Sequence, residues 1–231
     1  MNINEMHYDF KLKFNKLDSQ QNRNFLVPEI DWVLREAEEL FIKMTAFPRN
    51  YNALGFERTQ RNIDDIRILV EDVFVIPVSD ALLLPVGYWH FLRGKVFATR
   101  GSCVDVALKL HIQQHDDDFE NNPFVSTSFD WREVNGLFAK EVIKLEPESG
   151  VLFTGGEITF LRRPNYMHNA EKHRGGTYND LRGNALTSHV DCELPEHTHR
   201  EIVDIAVLIA SGAIQSSGYQ VYKEKLGLNL N

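Results

Sequence analysis

Only two cysteines, Cys103 and Cys192, occur in the 231 residues, and neither has a CxxC partner. That excludes a disulfide framework and a thiolate zinc site, and both are read as free thiols. No apolar run is long enough to span a bilayer, and the start MNINEMHYDF lacks the basic and apolar regions of a secretory signal. The expectation is a soluble protein made inside a cell. GxxxxGK[ST], GxGxxG and GxSxG are also missing, which leaves nucleotide-binding and hydrolase readings without a motif. A basic excess is missing too. The formal net charge of −8 argues against a protein whose main work is to coat nucleic acid, though it allows local contact with DNA.

What is present begins with apolar content of 43%, enough to bury a sizeable core in one large domain or a domain with an insertion. In PEIDWVLREAEELFIKMTAF the residues Ile30, Val33, Leu34, Ala37, Leu40, Phe41 and Met44 follow helical spacing. Pro28 suits the first turn and Pro48 the stop, so a helix is expected from Glu29 to about Thr45. Upstream, Tyr8, Phe10, Leu12 and Phe14 alternate like a strand while Met6, Phe10, Phe14 and Leu17 share a helical face; helix is preferred. Thr59 is placed to cap a short helix through QRNIDDIRIL.

The middle of the chain changes period. In CVDVALKLHI, Val104, Val106, Leu108, Leu110 and Ile112 alternate with Asp105, Ala107, Lys109 and His111, the pattern of a strand with one wet face. EDVFVIPV, YWHFLRGKVFAT, LFAKEVIKL and GEITFLRR are further strand candidates. From Pro195, HREIVDIAVLIASG is apolar nearly all round with Gly212 as the stop, and a shorter helix follows through about Ser217 to Leu226. The expected fold is α+β: an antiparallel sheet or sandwich between N- and C-terminal helical segments that pack together. The divisions are 1–71 helical, 72–163 β-rich, 164–192 a polar arm or long loop, and 193–231 helical.

The stretch SHVDCELPEHTHRE is the main chemical signal, placing His189, Asp191, Cys192, Glu193, His197 and His199 close together. Such side chains ligate transition metals when they converge. Two residues apart on a helix means about 200° of rotation, so His197 and His199 cannot share an ion if both are helical. The preferred reading is a structural helix start, with Glu193, Glu196 and Thr198 supplying negative or capping groups. A metal-dependent enzyme using His189, Asp191, His197 and His199 is the alternative.

HDDDFENNPF has the alternating Asp116, Asp118, Glu120 and Asn122 of a calcium loop, but Asn121 stands where glycine is needed and Thr127 where glutamate is needed. It is read as an acidic loop. Acidic residues outnumber basic ones nine to three between Gln114 and Glu148, and basic outnumber acidic five to two between Leu161 and Gly183. The second segment, with Gly175, Gly176, Tyr166 and Tyr178, reads as an arm that orders against a partner.

Three phrases carry a resemblance: DFKLKFNKLDSQQNRNFLVPEIDWVLREAEELFIKMTAFPR, TQRNIDDIR and DCELPEHTHREIVDIAVLIASG. They resemble virion structural proteins of crAss-like tailed phages, and within that group the ring proteins that join portal to tail. The likeness covers roughly the first 70 residues and the last 45 and includes no catalytic signature. It implies a non-enzymatic subunit of the head-to-tail connector, a portal adaptor or tail ring, repeated around the portal axis as a dodecamer. Its implied place is the virion neck or tail, assembled in the bacterial host cytoplasm. The implied partners are copies of itself in a closed ring, the portal protein, neighbouring connector or tail proteins, and non-specifically the genomic DNA in the channel; no membrane and no cofactor is implied. With a ring in view, Asp116, Asp117 and Asp118 on one side and Arg162, Arg163, Arg174, Tyr178 and Arg182 on the other become candidate subunit contacts, where opposite charges set register. A cytoplasmic adaptor domain without enzymatic function is the remaining alternative.

Overall fold

The computed structural model describes residues 1–17, 25–46, 64–113, 126–180 and 183–213. Two compact units share the chain: residues Met1–Ile68 with Pro164–Asn231, and Leu69–Arg163.

The first unit is built on three helices, α1 (Ile3–Leu17), α2 (Val27–Ala46) and α3 (His199–Ala213), with both α1 and α2 packed on α3. Asn2 and Glu5 open α1 as a reciprocal cap: Glu5 N donates to Asn2 Oδ1 at 2.9 Å and Asn2 N to Glu5 Oε2 at 3.0 Å. Ile3, Met6, His7, Phe10 and Phe14 are buried at helical spacing. The strand alternative for this segment fails because Tyr8 and Leu12 face solvent. Phe25 closes on the stacked Phe10 and Phe14 rings edge-on, at 5.6 and 4.9 Å.

α2 is longer than expected and turned on its axis. Its buried residues are Ile30, Asp31, Leu34, Ala37, Glu38, Phe41 and Ile42, whereas Met44 is exposed. Two carboxyl groups therefore sit seven residues apart on the stripe that enters the core. α3 is buried nearly all round, through Ile202, Val203, Ile205, Ala206, Val207, Leu208 and Ala210, as its uniform apolarity requires. It continues through Gly212 to Ala213, and a 3₁₀ turn at Glu196–Thr198 precedes it. Of the expected short helix through residues 60–69, the described part, 64–69, is helical and ends in a 3₁₀ turn, Arg67–Leu69, while the helix expected at 217–226 lies outside the described residues.

The segment read as a polar arm is part of this unit's core. β8 (His168–Asn169) pairs with β11 (His189–Val190), and β9 (Tyr178–Asn179) pairs with β10 (Ala185–Leu186), both antiparallel. Met167 and Ala170 are fully buried, and β8 lies against α1 and α2. Composition missed this because a few apolar residues at the right positions, together with buried hydrogen bonds, anchor an otherwise polar stretch.

The second unit is a seven-stranded sheet: β1 (Val70–Val75), β2 (Ala81–Leu83), β3 (Tyr88–Arg100), β4 (Cys103–Gln113), β5 (Glu133–Ala139), β6 (Val142–Leu145) and β7 (Leu152–Arg162). Its order is β1-β7-β3-β4-β5-β6-β2. The sheet is mixed rather than antiparallel throughout, because β4 and β5 run parallel, with Lys109 opposite Glu133 and Gln113 opposite Leu137. A parallel pair needs a long connection, and Gln113 and Glu133 are far enough apart in the sequence to allow one.

β1 and β2 are the two edges of the sheet yet adjacent in sequence. A tight turn with Ser79 at φ 51° and Asp80 at φ 59° sends the chain from one edge to the other. The sheet curls accordingly: a Cβ added to Gly156 on β7 would lie 2.7 Å from Leu82 Cδ2 on β2. Leu82, Val96, Leu108, Leu110, Val134, Ile143, Ile158 and Phe160 fill the interior. Val104 departs from the expected alternation and is exposed, since Asp105 has φ 52° and the β3–β4 register shifts between Ala98 and Arg100.

Candidate functional site

The densest polar constellation in the helical unit is centred on Asp31, a fully buried carboxylate on α2. His7 Nε2, from α1, lies 2.7 Å from Asp31 Oδ1. Asn169 N on β8 donates to both carboxylate oxygens at 3.1 Å, and Tyr178 OH donates to Oδ2 at 2.6 Å. Asn169 Nδ2 also donates to Asn4 Oδ1 on α1 at 3.0 Å. Burial, then the bond to Asp31, pushes the Tyr178 hydroxyl far above the ordinary phenol range, so it stays a donor. Tyr166 hydrogen-bonds Tyr178 and carries the Arg35 guanidinium 4.6 Å from its ring centre. Each oxygen of the buried carboxylate is thus satisfied, and four chain segments are tied to one point.

Seven residues along the same stripe, Glu38 is also fully buried and meets Cys192, whose Sγ is 3.3 Å from Glu38 Oε1. Burial raises this carboxyl to about 8 and pushes the Cys192 thiol well above its usual range. A thiol so held is a poor nucleophile.

The four residues of the metal alternative are each engaged elsewhere. His189 Nδ1 is 2.9 Å from Glu171 Oε1, and Asp191 Oδ1 accepts from Ile3 N at 2.7 Å. His197 Nε2 lies 2.6 Å from Asp65 Oδ1. His199 places Nδ1 and Nε2 each 2.8 Å from a backbone carbonyl, of Met1 and Leu194. Among the described residues no three His, Cys, Asp or Glu side chains converge as a metal would need.

The candidate subunit contacts fall in different places. Arg162, at the end of β7, has its Nε 2.9 Å from Glu71 Oε1, and the adjacent Arg163 is exposed. Arg174 is exposed on the turn before β9. Tyr178 is half-buried, and its hydroxyl is spent inside the helical unit on Asp31. Asp116, Asp117, Asp118 and Arg182 lie outside the described residues. Sequence reasoning passed over His7, Asp31 and Glu38, although two acids seven apart on an amphipathic helix share a face with its apolar stripe.

The β unit contributes a different surface. Trp131 is 82% exposed on a turn braced from below: Phe129 N donates to Glu148 Oε2 at 2.6 Å, and Ser128 and Glu133 exchange backbone bonds at 2.9 and 3.0 Å. Phe74, Ile76, Val78 and Leu152 are also exposed. No protein-family model matches the chain, and no curated protein matches it in sequence. No described helix is long and apolar enough to cross a membrane.

Proposed function

We propose that this protein is a non-enzymatic structural subunit of a phage virion, one ring of the portal-to-tail connector. The observation that carries the reading is where the polar chemistry goes: Asp31, His7, Tyr178, His199 and Asp191 are spent on bonds that hold the helical unit together. The surface offers exposed apolar groups instead, Trp131 foremost, and large aromatic residues on braced turns are the kind of anchor that dominates protein interfaces. The likeness of the N- and C-terminal phrases to connector ring proteins supplies the identity of the assembly.

In this reading the subunit repeats head to tail around the portal axis, probing closure by geometry, with twelve copies as the family expectation. Its faces match the portal and the neighbouring connector or tail proteins, and its inner surface passes genomic DNA. Arg162 and Arg163 are proposed contacts on the β unit. Electron microscopy of the particle neck tests the assignment directly. A ring whose density accepts this chain is the expected result, and particles complete without the protein would refute it. Reversing Arg163, the exposed member of the pair, to Glu is expected to preserve folding and block incorporation.

A further inference from the structure

Glu38 differs from Asp31 in one respect that decides its behaviour. Asp31 is fully hydrogen-bonded, whereas Glu38, equally buried, has its Oε2 without a hydrogen-bond partner among the described residues. Its other oxygen meets, among the described residues, a thiol, a weak donor. Cys192 in turn sits just before the Leu194–Pro195 turn that leads into α3, so this contact joins α2 to the start of the most buried helix of the unit. We propose that the Glu38–Cys192 contact is a proton-dependent latch, closed while Glu38 carries its proton and released when it ionises.

The charged groups that face Glu38 favour release on ionisation. Glu193, beside Cys192, and Glu39, on α2, both oppose a negative charge there, and Arg35 favours it. A carboxylate formed in place would be buried with a thiol as its donor among the described residues, and such a charge is relieved by admitting water. The sign follows from linkage. The folded chain holds the Glu38 proton up to about 8, against the ordinary 4.5 of the unfolded chain. The stabilisation is therefore complete below the unfolded value, declines as pH rises through this window, and is lost above about 8. An opening that must release one proton becomes about tenfold more favourable per pH unit across the window.

The two thiols make the test internal to one molecule, since Cys103 is exposed and Cys192 buried. The full-length chain is treated with 4,4′-dithiodipyridine at several pH values between 5.5 and 8.5, and the rate at Cys192 is taken relative to that at Cys103. Denaturation midpoints in urea are measured over the same range. In the parent protein the relative Cys192 rate is expected to climb with pH and the midpoint to fall. In Glu38→Gln, which cannot ionise, the Cys192 rate should stay flat relative to Cys103, and the midpoint should lose the part of its slope that Glu38 supplies. Glu38→Met serves the same comparison if the glutamine variant does not fold. Parallel pH slopes in parent and variant, or a Cys192 that stays protected across the range in the parent, would overturn the latch.

Discussion

His7 Nε2 and Asp31 Oδ1 lie 2.7 Å apart in the interior of the helical unit, an imidazole on α1 against a carboxylate on α2. The pair is worth more than its own bond because Asp31 also receives Asn169 N and Tyr178 OH. Asp31→Ala leaves three donors unpaired in a dry site and is expected to cost about 3–5 kcal/mol. Tyr178→Phe, which removes one bond to a charged acceptor, should cost about 1.5–3 kcal/mol. Urea denaturation of both variants measures this, and a Tyr178→Phe effect that persists unchanged in Asp31→Ala would show that the tyrosine acts through something else.

The packing of α3 predicts a sharper contrast. Ile205→Asp buries an unpaired carboxylate in the core of the helical unit and should cost several kcal/mol, enough to abolish cooperative folding. Trp131→Ala alters an exposed side chain and should change stability by less than about 0.5 kcal/mol. Thermal melting of the two variants separates core from surface, and wild-type-like melting of Ile205→Asp would make α3 peripheral.

Two adjacent glycines on β7 should behave differently. At Gly156 an added Cβ would press on fully buried Leu82, which has nowhere to go, so Gly156→Ala should destabilise by about 1–3 kcal/mol. At Gly155 the obstacle is the ring of Phe74, which is 60% exposed and can swing outward. Gly155→Ala is expected to be the milder change, and the reverse order of urea midpoints would contradict the curled arrangement that brings β2 over β7.

His189 offers a test of charge pairing on the surface. Its hydrogen bond to Glu171 raises it above the ordinary histidine value, so the pair contributes stability at low pH that is lost as pH rises through the raised value. Glu171→Gln should lower the midpoint of the His189 titration followed by NMR. An unchanged midpoint would mean that the 2.9 Å contact does not persist in solution.

The α+β class, the three long helices and the main strands were legible in the sequence, because an apolar stripe of period 3.6 or 2 reports which face of a local element is buried. The histidine spacing was legible on the same ground: neighbours two apart near a helix start point in different directions, and His197 and His199 do take separate partners. Tertiary structure alone decided that β4 and β5 are parallel, that Leu82 reaches across to Gly156, and that the polar stretch around Asn169 belongs to the core. Each of these depends on pairing between distant segments, which leaves no local period. The same holds for Asp31 and Glu38. Their shared face with the apolar stripe could be read from α2, but a buried carboxyl is stable only with donors brought from elsewhere, and those donors, His7, Asn169, Tyr178 and Cys192, are scattered over 186 positions of the chain.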